Sequence, residues 1–145
     1  FIEHDTFRDL ANLHNLDLSN NFIVNFDVNI FNSFKIIKYL SLSNNPHIKL
    51  INKTFEFYLE NIFFKNELKI LRFQNSSNDV LDYIYQKHSF SIEELDLNNN
   101  NLGLDFLNRL NINSIKTICL SNTNLNLSFN ILKKFNNLNL MELDL

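Results

Sequence analysis

One spacing of apolar positions recurs six times along the chain: apolar, two residues, apolar, one residue, apolar. It appears as Leu13, Leu16, Leu18, as Ile37, Leu40, Leu42, and as Leu68, Leu71, Phe73. It returns as Ile92, Leu95, Leu97, as Ile115, Ile118, Leu120, and as Leu140, Leu143, Leu145. The first members step by 24, 31, 24, 23 and 25 residues. Self-similarity with a period in the twenties predicts a solenoid, in which each unit buries its apolar side against the next. In the second half of each pattern the apolar residues flank a single outward position. Leu16 and Leu18 therefore point inward around Asp17, and Leu95 and Leu97 around Asp96. Each unit predicts a short strand, and a return path of about 18 residues is long enough for the next strand to run parallel.

A polar residue follows three positions after the second strand leucine: Asn21, Asn45, Ser76, Asn100 and Thr123. A buried amide there can satisfy backbone groups as the chain turns off the sheet. Ser76 and Thr123 are imperfect substitutes and predict the weaker turns. Apolar residues then mark the return path: Ile23, Phe26, Phe31 and Phe34 after the first strand, Leu102 to Ile112 after the fourth, and Leu125 to Leu138 after the fifth. The opening residues Ile2, Phe7 and Leu10 fit the end of a further unit. All of these read as core. The longer second unit predicts one helix over 54–66, with Thr54 as N-cap. A second, over 79–87, has Asp79 as N-cap.

Composition changes this picture little. The 145 residues are 45% hydrophobic and 20% charged, enough for one domain with a core, and a net charge of −3 gives no basic footprint for nucleic acid. No apolar run is long enough to span a bilayer. With Gly103 as the single glycine, neither a P-loop nor a dinucleotide fingerprint can exist. His4, His14, His47 and His88 lack metal-ligand spacing, so no metal, cofactor or catalytic residue is expected. Cys119 is the single cysteine. It excludes an internal disulfide and reads as an exposed thiol on the outward side of its strand. Asn is abundant, at 28 residues, and reads partly as a compositional bias.

The stretches LHNLDLSNNFI, IKYLSLSNNPHI, IEELDLNNNNL and IKTICLSNTNL resemble leucine-rich repeats of pattern LxxLxLxxNxL. IEHDTFRDLANLHNLDLSNN is similar to the 24-residue typical subclass of Toll-like receptor ectodomains and matrix proteoglycans. The resemblance covers essentially the whole chain. It implies an α/β leucine-rich repeat horseshoe over 1–145, with about six short parallel strands on a concave side and loops and short helices on a convex side. The chain begins mid-unit without a cysteine-rich cap, so it is expected to be an internal fragment of a longer solenoid.

The resemblance also implies a protein-binding or ligand-recognition module that uses outward residues of the strands. Carried over by position, these are Asn15, Asp17, Tyr39, Ser41, Lys69, Ile70, Arg72, Glu94, Asp96 and Thr117. Basic and aromatic residues on the second and third strands sit beside an acidic fourth strand, which suits a protein ligand or co-receptor of complementary charge. The plainer alternative is a solvated face. The expected setting is the extracellular part of a membrane protein or a secreted protein. The alternative is an intracellular scaffold or adaptor, favoured by the unpaired Cys119. Three sequons, at Asn52, Asn75 and Asn126, are candidate glycosylation sites, at about the number that chance gives.

Overall fold

The computed structural model describes residues 2–3, 5–24, 30, 33–48, 68–76, 92–102, 106, 114–125, 133, 135 and 142–144. Six short strands form one sheet: β1 Asn15–Asp17, β2 Tyr39–Ser41, β3 Ile70–Arg72, β4 Glu94–Asp96, β5 Thr117–Cys119 and β6 Glu142–Asp144. They lie in chain order, and every neighbouring pair is parallel. The central residues form one row across the sheet: Leu16, Leu40, Leu71, Leu95, Ile118 and Leu143. A slip of one residue would turn that whole row out to solvent, so the alternation itself holds the register.

Inward of the sheet lies the core. Leu40, Leu71, Leu95 and Ile118 are buried, and so are Leu42, Phe73, Leu97 and Leu120. Ile37, Leu68, Ile92 and Ile115 close it at the strand entrances. From the return paths come Ile23, Ile30, Phe34, Leu102, Phe106 and Phe135. Removing one such leucine should cost about 2–5 kcal/mol. Burial thins at β1, where Leu13 and Leu18 are only partly covered. Phe7 packs on Phe34 with ring centroids 5.8 Å apart. Leu10, expected in the core, is instead exposed. Its carbonyl and N–H belong to consecutive tight turns from Phe7 to Leu13, which swing the side chain outward. The expected helices over 54–66 and 79–87 lie outside the described residues, as do Phe26 and Phe31.

The ladder runs on past the strands. Leu18 N–H donates to Ser41, Leu42 to Arg72, Phe73 to Asp96, and Leu97 to Cys119, all at 2.9–3.0 Å. Two residues later the chain turns through a left-handed residue, and each time it is Asn: Asn20 (φ 57°), Asn44 (57°), Asn75 (46°), Asn99 (59°) and Asn122 (56°). Asn tolerates this region better than other residues with a Cβ, and this chain has almost no glycine to place there. Part of its Asn richness is therefore a backbone requirement and not a compositional bias alone. The same residues tie units together through side chains. Asn44 Nδ2 donates to Asn20 Oδ1 at 2.9 Å, Asn75 to Asn44 at 3.3 Å, and Asn122 to Asn99 at 3.0 Å.

Candidate protein-binding face

Opposite the leucine-lined side, the sheet presents rows of polar side chains. Strand alternation places Asn15, Tyr39, Ile70, Glu94 and Thr117 in one row, and Asp17, Ser41, Arg72, Asp96 and Cys119 in the next. His14, Lys38, Lys69, Glu93 and Lys116 precede the strands and form a rim. The lysines are thus rim residues, and Arg72 is the cation that stands within the two rows.

Arg72 is the centre of the arrangement. Its Nη2 donates to Glu94 Oε1 at 2.8 Å, and its guanidinium carbon lies 5.5 Å from the centroid of the Tyr39 ring. One side chain therefore spans three strands. The bond to Glu94 raises the Arg72 pKa further above its ordinary value. Arg72 Nε is buried without a hydrogen-bond partner. Tyr39 also reaches the other way, its hydroxyl 3.5 Å from Asp17 Oδ2. The Ser19 hydroxyl and the Ser19 backbone N–H, at 2.9 Å from Oδ1, hold the Asp17 carboxyl below the usual carboxylate range. Tyr39 and Ser41 help less.

On the rim, Glu93 bridges two strands' lysines: Lys69 Nζ at 3.0 Å and Lys116 Nζ at 2.5 Å. Lys116 first, then Lys69, lowers the Glu93 pKa. Ion pairs this exposed contribute little to stability, because water and salt screen them.

Not every expected contact residue offers contact area. Ser41 and Asp96 are buried. Ser41 sits in register with Arg72, and its short side chain lies below the larger ones around it. Asp96 accepts from Asn98 N–H at 3.1 Å and from Gln74 Nε2, which closes over it. These two shape the floor of the face. Asn15 and Asp17 are exposed, while Tyr39, Lys69, Ile70, Arg72, Glu94 and Thr117 are half-buried. Cys119, expected as an exposed thiol, is half-buried.

No protein-family model, curated protein or solved structure matches this chain. What the face can do therefore follows from its own chemistry. It offers a rigid guanidinium, an aromatic ring, an aliphatic side chain and carboxylates, all on backbone held by sheet hydrogen bonds. Among the described residues no group of three or more His, Cys, Asp or Glu could hold a metal ion, and no helix is long and apolar enough to cross a membrane. Of the sequons, Asn75 is exposed at the turn after β3, and Asn52 and Asn126 lie outside the described residues.

The repeat spacing puts Tyr39, Arg72 and Glu94 on neighbouring strands of one face, but does not show that they join into one group, since Tyr39 and Glu94 lie 33 and 22 residues from Arg72 in the chain. The left-handed Asn row did carry a signal. Asn stands two positions after the second strand apolar residue at all five turns.

Proposed function

We propose that the chain is a leucine-rich repeat solenoid whose polar sheet face binds a protein partner. The observation that carries this is the Tyr39–Arg72–Glu94 group. It fixes the residue types most enriched at interface hot spots on rigid strands, half-covered and with donors to spare. Sheet-borne side chains that are already ordered lose less conformational entropy on binding than free ones do. The setting that fits best is a receptor-type ectodomain, supported by the 24-residue step from Phe7 to Phe31 that accompanies the strand pattern. A cytoplasmic scaffold is the second reading, favoured by the single Cys119, which leaves the fold without a disulfide.

The test is capture of partners by the full protein and by its Tyr39→Ala/Arg72→Ala variant, with equal circular dichroism spectra as the fold control. Capture should fall by roughly tenfold or more. Equal capture by the folded variant would sink the reading. Enzymatic removal of N-glycans from the protein of its native cells then separates the two settings: a mass shift assigns the extracellular one, and an unglycosylated chain recovered from the cytosol assigns the scaffold.

A further inference from the structure

Strands β2 and β3 differ from their neighbours in charge. Residues 37–48 and 68–76 carry Lys38, Lys69 and Arg72 and no Asp or Glu. β1 brings Asp17 on one side, and the β4 segment brings Glu93, Glu94 and Asp96 on the other. Parallel pairing converts residues 31 apart in the chain into one cationic band about 10 Å wide between acidic borders. Tyr39 and Ile70 are register partners within it, both half-buried, and form an apolar floor.

The cations are not all spent. A guanidinium has five N–H donors in a fork suited to carboxylates. Glu94 engages Nη2, and among the described residues Nη1 has no partner. Lys38 is exposed and likewise has none among them, whereas Lys69 is held by Glu93. An incoming carboxylate would meet an ordered donor instead of a mobile side chain. The acidic borders would repel a second carboxylate placed about two strands away, which restricts what the band accepts.

We propose that the β2–β3 band docks an extended protein segment with one central aspartate or glutamate beside an apolar side chain. The carboxylate meets Arg72 in the field of Lys38, and the apolar side chain lies on Tyr39 and Ile70. This rests on the sheet face being the docking surface, and it names the chemistry that the surface selects.

Random displayed peptides are selected on the full chain alone, and the survivors are then measured on its variants. The survivors should share an acidic residue next to an aromatic or branched aliphatic one. A labelled survivor should lose roughly tenfold or more in affinity on Arg72→Gln, less on Lys38→Glu, and should weaken as salt rises. Lys38→Glu alters an exposed side chain with no described partner, so it reads the field without risk to the fold. Neutral or basic survivors that still lose affinity on Tyr39→Ala would overturn this inference and leave the docking face standing. Survivors that respond to no substitution at Tyr39, Ile70 or Arg72, or no survivors at all, would overturn the inference and count against the face as well.

Discussion

The turns after β2 and β4 occupy the same place in their units as the turns after β3 and β5, yet they are closed by different chemistry. Asn45 Nδ2 donates to Leu42 O at 3.0 Å in its own unit and to Leu18 O at 2.9 Å in the preceding one. Its Oδ1 accepts from Ile23 N–H at 3.1 Å. Asn100 repeats the set with Leu97 O, Phe73 O and Ser76 N–H, at 2.7, 2.7 and 2.8 Å. A single buried amide thus joins β1 to β2, and another joins β3 to β4. At the other turns the hydroxyl at this position bonds only locally: Thr123 Oγ1 donates to Leu120 O at 2.6 Å, and Ser76 Oγ to Gln74 O at 3.3 Å. A hydroxyl has one proton and a short reach, so it cannot serve two units at once.

The β2–β3 and β4–β5 junctions compensate nearer the polar face. Gln74 N–H donates to Ser43 Oγ at 3.0 Å, and Ser121 N–H to Asn98 Oδ1 at 2.6 Å. Leu102 N–H also reaches Thr123 O at 3.2 Å. The lesson is that one sequence position can lose its amide without losing the junction, provided another row supplies the cross-unit bond.

The largest effect should come from Asn45→Ala or Asn100→Ala, which strands buried carbonyls and an N–H in two units. Each should cost about 2–4 kcal/mol in urea unfolding. Thr123→Val removes one bond within one turn and should cost about 1 kcal/mol, with Ser76→Ala below that. A Thr123→Val loss equal to that of Asn45→Ala would erase the distinction between the turns.

Next comes a property common to both kinds of turn. Asn44→Ala and Asn75→Ala should each cost about 1 kcal/mol, and glycine at either position much less, because the left-handed backbone and not the packing sets the cost. Unequal costs in thermal melts would mean that the Asn side-chain ladder matters more than the backbone.

The smallest effect belongs to Glu93 on the rim, which ties β3 to β5 through β4. Its carboxyl is held below the usual range in the folded chain, so its contribution is present above the ordinary glutamate pKa. That contribution is lost as pH falls through the lowered value. Wild type and Glu93→Gln should therefore differ slightly in melting temperature near neutral pH and converge in acid. A difference that grows in acid would reverse the sign and refute the pairing. Asp17→Asn should follow the same sign, since Ser19 holds that carboxyl low as well.

Much of the fold was legible in the residues. Two inward leucines around one outward residue marked each strand, and the recurrence of the pattern put the strands in order. The different chemistry of the turns at Ser76 and Thr123 was also visible, because a hydroxyl carries one proton where an amide carries two. Three features were not visible. Leu10 looked like core, since nothing local reveals that tight turns rotate it outward. Ser41 and Asp96 looked like contact residues, since burial on a sheet face depends on the lengths of neighbours 22 to 31 residues away in the chain. The Asn row shows in the spacing, but Asn has several roles, and only the backbone angle reveals that these positions are left-handed.

Where the strands lie, how they register and which strand side chains line the core all follow from alternation and repetition, local properties that one misplaced residue would violate across a whole row. The wiring of the polar face came only with the folded sheet. Arg72 could have taken Asp96, its register partner, and takes Glu94 while resting on Tyr39. Strands about 4.8 Å apart let each long side chain choose among several partners, and that choice depends on all the neighbouring side chains at once.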